Sequence, residues 1–578
     1  MPESTSEAKS PDVSEAKSPA VVYREIEAAL TATGAPFEMV DAQVRGDTIR
    51  TYRHAAPTLY EVVSEFEDRF ADNVLTAGVG GERSYRDVFE DARRFGAALR
   101  EDFGVEPGDR VGIMMNNQAA YLIALFAITR IGAVAVLLNS RSVAAEIAVA
   151  LDEVPCAVVV ADAKSASVLS EAGVDAPIVL TETDTPGVAS LAELTATPRS
   201  APDPYAPDTD SVCLILFTSG TSGRPKGVLL THRNICNVVM NMRYVADTNL
   251  EFASRTYGIA VDDLRAMMPM VSALLIFPLF HVSGIAALMA TMNSGGRVAT
   301  LPRWDASAAA DLIAEYQLSL MAGPPMTVDD LLALPDGAER LGTLLNVVPG
   351  GQATPPNVTA RIADRLPNAR RSAGWGMTEV GGSVCTAGGD ILAAHPTTSG
   401  AMSPTMDVRV ADPDGTELPA GQVGELQLRG ALVMAGYAGR PDDTADAFDG
   451  AWLHTGDLGF LDEHGLVYIV DRAKDLVISA GENISCAEVE SALSRSDRFV
   501  EVAAFGVPDE RRGERLIAAV TVRDDAPALE AEDVRELARE VLPEYKLPAE
   551  IVFDLGPLPR TASGKVIKRQ LRERYLAR

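Results

Sequence analysis

Leu216–His232, LFTSGTSGRPKGVLLTH, carries an apolar run into a loop of glycine and hydroxyl residues and out into a second apolar run. Such a pattern reads as a buried strand that delivers an anion-binding loop. Gly220, Gly223 and Gly227 let backbone N–H groups come close to an anion. Thr218, Ser219, Thr221 and Ser222 add hydroxyl donors for phosphate oxygens, and Lys226 adds a cation. The string is not the GxxxxGK[ST] loop, because Lys226 is followed by Gly227 and the glycine spacing differs, so a P-loop phosphoryl transferase is not implied. A flexible Ser/Gly linker is the plain alternative, and the strongly apolar flanks argue against it.

Outward from this loop the chain alternates helix-like and strand-like segments. Tyr85–Glu101 has apolar residues at helical spacing, Arg110–Met115 reads as a short buried strand, and Ala119–Ile131 returns to helix. Further strands are expected at Ala157–Val160, Ile178–Leu180, Val212–Phe217, Leu345–Val348, Gly424–Arg429 and Leu466–Val470. This is the signature of an α/β fold, whose ligand chemistry belongs at the strand ends. At 578 residues more than one domain is expected. Beyond Asp471–Lys474 the pattern changes: helices at Ala487–Ser494 and Ala531–Leu542 accompany strands at Glu501–Val507 and Leu516–Val522, the content of a small α+β domain. The expected division is a tail over residues 1–20, a large multi-subdomain domain over 21–471 and a small mobile domain over 472–578. Within the large domain, Ala201–Thr209 reads as an exposed linker.

Charge narrows the partners. With 51 basic and 81 acidic residues the formal charge is -30, which repels nucleic acid and anionic membranes alike. An anionic ligand would need a local electropositive pocket. The cysteines Cys156, Cys213, Cys236, Cys385 and Cys486 are scattered, so neither a disulfide framework nor a zinc site is suggested and a reducing cytoplasm fits. Met1–Pro19 is polar and repeats SEAKSP, unlike a signal peptide. Ala266–Asn293 has no Asp, Glu, Lys or Arg, but Pro269, Pro278 and Gly284 interrupt it. It therefore reads as a buried strand, turn and helix beside a ligand pocket and not as a membrane span.

Other stretches offer chemistry. FPLFHVSG (Phe277–Gly284) places His281 in apolar company, equally a packed core histidine or a ligand contact. Pro349–Ala353 is PGGQA, a turn that could pass flat against a ring. GWGMTE (Gly374–Glu379) joins an aromatic, a hydroxyl and a carboxylate suited to a hard cation. WLHTGDLG (Trp452–Gly459), DRAKDLVISAGENISCAEVE (Asp471–Glu490) and PLPRTASGKVIKRQL (Pro557–Leu571) add Asp457, Arg472, Lys474 and Lys565.

In this order the stretches resemble the motifs of the adenylate-forming superfamily, which holds acyl-CoA synthetases, peptide-synthetase adenylation domains and luciferases, with the acyl-CoA synthetase branch the nearest in character. The resemblance runs from about Pro57 to Arg572. It implies that Thr218, Ser219, Gly220, Thr221, Ser222, Gly223 and Lys226 cradle the ATP phosphates, with Thr221 and Glu379 on Mg²⁺. By the same resemblance Gly350, Gly351 and Gln352 pack on adenine beside Trp375 and Gly376, where relatives usually have Tyr in place of Trp375. Thr378 meets the phosphates or carboxylate, His281 lies near the acid, and Asp457 and Arg472 take the ribose. Lys474 is the interdomain hinge, Gly481 lines the pantetheine channel of coenzyme A, and Lys565 is the catalytic lysine.

The implied function is an ATP-dependent acid–thiol ligase: a hydrophobic carboxylic acid becomes its acyl-AMP with release of pyrophosphate, and the acyl group passes to coenzyme A. The apolar character of Phe280–Ile285 and Met321–Met326 favours a hydrophobic acid. The alternative is an adenylating ligase that loads an acyl-carrier protein or uses another nucleophile or oxyanion; from another class, an adenylate-binding protein without turnover is the rival, and a homodimer is left open.

Overall fold

The computed structural model describes residues 18–183, 188–218, 224–350, 356–480, 482–523, 526–561 and 564–578. Of the expected site residues, Ser219, Gly220, Thr221, Ser222, Gly223, Gly351, Gln352 and Gly481 lie outside this set, as do residues 1–17 of the expected tail. The first helix, Pro19–Thr31, starts inside the stretch assigned to that tail: Ser18 caps it and a proline sits in its first turn.

Two mostly parallel sheets form the body. One runs in the order Gly436–Tyr437, Lys226–Thr231, Val212–Thr218, Val134–Leu137, Arg110–Met114, Val158–Ala161, Ile178–Leu180. Only Lys226–Thr231 runs against the others; the strands from Val212–Thr218 onward pair in parallel, and their near-continuous Val, Ile and Leu runs are buried on both faces. The second has the order Asn346–Pro349, Leu320–Gly323, Ala273–Leu275, Val298–Thr300, Val74–Gly78, Arg83–Ser84. Helices cover them. Tyr85–Glu101 begins with a Ser84–Asp87 capping box and buries Val88, Phe89, Ala92, Phe95 and Leu99 along one face. His232–Tyr257 begins with a Thr231–Asn234 capping box and ends at Gly258, whose φ of 68° is the left-handed stop.

The expected strands and helices agree with the observed ones to within a few residues; Tyr85–Glu101 and Ile178–Leu180 coincide at both ends. Ala266–Asn293 forms a buried strand at Ala273–Leu275 and a helix at Val282–Asn293, and among the described residues no helix is long and apolar enough to cross a membrane. Ala201–Thr209 has no regular structure yet is pinned to the body: Tyr205 N donates to Arg130 O at 2.9 Å and Arg130 Nη2 to Pro202 O at 2.8 Å.

A third, largely antiparallel sheet contains Ser372–Met377, Gly382–Gly388, Gly400–Met402, Leu466–Arg472, Trp452–Leu461, Gly424–Gly430 and Met406–Ala411 in that order. Its strand Leu466–Arg472 ends in a short 3₁₀ turn, Ala473–Asp475. The chain then enters a separate sheet built from Val477–Ser479, Glu482–Ile484, Gly513–Val522, Phe499–Asp509 and Glu550–Val552, with its own apolar core.

Candidate active site

The carboxyl ends of the parallel strands converge, as ligand sites in open α/β sheets require. Val212–Thr218 delivers the glycine/hydroxyl loop, and in the register of the antiparallel pair Thr218 stands directly opposite Lys226. Asn346–Pro349 delivers Gly350, which faces the Phe277 ring. The two sheets are joined at these ends by Asn117. Its Nδ2 donates to Leu275 O at 3.2 Å and Phe277 O at 2.9 Å, while its Oδ1 accepts from Leu279 N at 2.8 Å. One amide side chain thus fixes the segment that presents His281.

His281 caps the helix Val282–Asn293 without a side-chain bond of its own to that helix, and its Nε2 is buried with no hydrogen-bond partner. Burial, with a smaller contribution from Arg141, pushes the imidazole down to about 4, so it is neutral at pH 7. A buried, unpartnered ring nitrogen can meet a polar ligand atom. Phe280 and Ile285 beside it are buried; Met321 lies in the core beneath the second sheet and Met326 is half exposed.

On the third sheet, Asp457 and Arg472 are cross-strand neighbours, with Arg472 Nε 3.0 Å from Asp457 Oδ1. The other oxygen, Oδ2, accepts from Trp375 Nε1 at 2.7 Å. Trp375 and Asp457 sit on strands four places apart, about 19 Å in a flat sheet, so the sheet must curl for them to touch. Trp375 is only 8% exposed, so most of its ring is packed in the core. Gly376 is required by the hairpin: a Cβ there would lie 1.9 Å from Gly382 O.

Lys565 arrives from the small domain. Its turn is closed by Thr561 N donating to Lys565 O at 2.8 Å and Lys565 N to Thr561 Oγ1 at 3.1 Å. The preceding Gly564, at φ 88°, touches Pro324 of the large domain, and Arg523 Nη2 lies 3.5 Å from Asp329 Oδ2. Burial, reinforced by Arg472 and Lys474, brings the Lys565 ammonium down to about 8. Lys474 is lowered by burial and by Arg472 in turn. Arg472, Lys474 and Lys565 thus lie close to one another and to Asp457 and Asp475, a local concentration of positive charge in a chain of charge -30.

Glu379 follows in the 3₁₀ turn Thr378–Val380, closed by Gly381 N donating to Thr378 O at 3.0 Å. Its Oε1 accepts from Tyr437 Oη at 2.9 Å. Lys226 Nζ lies 4.9 Å from the Tyr437 ring centroid and 2.5 Å from Asp443 Oδ1. Among the described residues no group of three or more His, Cys, Asp or Glu could hold a metal ion. The Glu379 carboxylate is a hard oxygen donor, the type that suits Mg²⁺.

The structure thus brings Trp375, Asp457, Arg472, Lys474 and Lys565 together as one cluster and Thr218, Lys226 and Glu379 as another, with His281 on the segment clamped by Asn117. Sequence reasoning did not single out Asn117, Tyr437 or Asp443. The signal available was the polar pair Asn116–Asn117 just after a buried strand; nothing local marks Tyr437 or Asp443.

A two-domain α/β architecture whose sequence carries a glycine/hydroxyl-rich stretch after a buried strand, with a carboxylate–arginine pair and a lysine brought in by the small domain, is that of an adenylate-forming enzyme. The chain belongs to the AMP-binding enzyme family, matching it over residues 63–438 and its C-terminal domain over residues 488–565. It is 32% identical over 502 residues to a feruloyl-CoA synthase of an Amycolatopsis species, covering 86% of this chain and 94% of that protein. It is 31% identical over 475 residues to the long-chain-fatty-acid–CoA ligase FadD13 of Mycobacterium tuberculosis, covering 82% and 90%. The crystal structure of ATP-bound MatB from Rhodopseudomonas palustris superposes with a TM-score of 0.77 at 28% identity, covering 89% of this chain and 99% of that one.

Proposed function

We propose that this chain converts a hydrophobic carboxylic acid to its acyl-AMP with ATP and Mg²⁺ and then transfers the acyl group to coenzyme A. The observation that carries the reading is the seating of Lys565, from the small domain, beside Asp457 of the large one and Arg472 at the end of the strand that leads out of it. A carboxylate is a poor electrophile until its oxygen is made part of a good leaving group, and adenylation does this. The difficulty is to bring two anions together. Lys565, placed between the acid and the α-phosphate, offsets charge that gathers there in the transition state, and the preorganised Asp457–Arg472 pair holds the ribose. Glu379 would hold the magnesium ion that accompanies the nucleotide, and that ion would supply further charge neutralisation.

A thiol must then approach the acyl carbon, and Lys565 occupies the cleft. Rotation of the small domain about Lys474 removes it and presents another face, which separates the two half-reactions in time. The relatives named as CoA ligases support coenzyme A as acceptor, and two of them, acting on feruloyl and long-chain acyl groups, support an apolar acid.

Acid-dependent ATP–pyrophosphate exchange over a panel of aliphatic and aryl acids tests the first step, and thioester formation with coenzyme A against a holo-carrier protein tests the second. Lys565→Ala is expected to lower exchange by roughly 10²–10³ while thiolysis of supplied acyl-AMP persists. Equal loss of both would remove Lys565 from the adenylation step.

A further inference from the structure

The edge strand Gly436–Tyr437 pairs with Lys226–Thr231, the strand that begins at Lys226, with Tyr437 opposite Val228. Its side chain points to neither solvent nor core alone. The hydroxyl donates to Glu379 Oε1 at 2.9 Å and the ring lies under the Lys226 ammonium at 4.9 Å. Among the described residues the second oxygen of Glu379 is left without a hydrogen-bond donor, the arrangement a carboxylate needs to offer a lone pair to a hard cation.

Both ends of this contact are fixed by backbone. Tyr437 N donates to Thr444 Oγ1 at 2.9 Å, and Met434 N donates to Glu379 O at 2.8 Å. The segment leading into it is held by Asn234 Nδ2, which donates to Ala431 O at 2.8 Å and Val433 O at 3.0 Å, and by Arg45 Nη1, which donates to Met434 O at 2.6 Å. Asp443 draws Lys226 from the other side at 2.5 Å.

We propose that Tyr437 is a positioning residue for both groups that meet the phosphates: its hydroxyl aims Glu379 at the metal ion of the nucleotide, and its ring seats Lys226. The inference rests on the functional reading above and adds to it a residue that touches neither substrate nor metal. The two roles separate by substitution, because Tyr437→Phe removes the donor and keeps the ring, whereas Tyr437→Leu removes both.

Isothermal titration of the full chain with ATP plus Mg²⁺, with ATP plus EDTA and with AMP tests it, alongside thermal unfolding. Tyr437→Phe is expected to raise the Kd for MgATP roughly ten-fold, the size of a lost hydrogen bond to a charged group, with metal-free ATP, AMP and unfolding temperature unchanged. Tyr437→Leu should weaken metal-free ATP as well. In a Glu379→Gln background Tyr437→Phe should add nothing. Equal weakening of MgATP and metal-free ATP by Tyr437→Phe, no weakening of either, or additivity with Glu379→Gln overturns the proposal. A wild-type chain that binds no MgATP would instead sink the functional reading itself.

Discussion

The indole N–H of Trp375 donates to Oδ2 of Asp457 at 2.7 Å while Arg472 holds Oδ1 at 3.0 Å. The carboxylate expected to receive the ribose is therefore oriented through both oxygens, one of them by the indole nitrogen of the residue that stands where relatives usually have Tyr. Trp375→Phe keeps an apolar ring and deletes the donor. It is expected to raise the KM for ATP about ten-fold with kcat nearly unchanged, because the lost interaction acts equally on ground and transition states. ATP–pyrophosphate exchange kinetics read this directly; a fall in kcat at constant KM would place the indole in the chemistry instead.

Lys565 must be protonated to balance the charge of the reacting anions. Its ammonium is held down to about 8 by burial and by Arg472 and Lys474, so the active cation is lost as pH rises through that value. In the first half-reaction kcat/KM, which reports the free enzyme, should fall above about pH 8. Lys565→Arg, whose charge persists, should flatten that limb at a lower plateau. His281, neutral down to about pH 4, should leave no inflection near pH 6.5.

Gly564 combines φ 88° with a would-be Cβ 3.0 Å from the Pro324 ring atoms. A methyl group strains the turn and pushes against Pro324, the contact that seats this turn on the large domain. Gly564→Ala is expected to depress pyrophosphate exchange by about ten-fold through the Pro324 clash, taking overpacking at roughly 1–3 kcal/mol, and to spare thiolysis of supplied acyl-AMP. Parallel loss of both activities would mean that the substitution unfolds the small domain.

Asn117 makes three hydrogen bonds across the two parallel sheets. Asn117→Ala leaves the Leu279 N–H and the Leu275 and Phe277 carbonyls without that partner, a loss of about 1–3 kcal/mol in denaturant unfolding. Because the freed segment carries His281, the KM for the acid should rise more than the KM for ATP. A larger effect on ATP would move this clamp away from the acyl side.

Elements legible in the sequence were those whose signal is contiguous. Tyr85–Glu101 declares itself by 3.6-residue apolar spacing and a Ser–Asp cap, and buried parallel strands such as Val158–Ala161 declare themselves as unbroken apolar runs. The residue types of the site were equally plain, since Gly374–Glu379 or Pro557–Leu571 can be read as strings. Tertiary structure alone decided what those residues touch. Trp375 meets Asp457 across 82 positions, Tyr437 meets Glu379 across 58, and Asn117 reaches Phe277 across 160. Such pairings follow from strand order, register and the curl of a sheet, quantities set by the packing of the whole chain and carried by no local stretch of it.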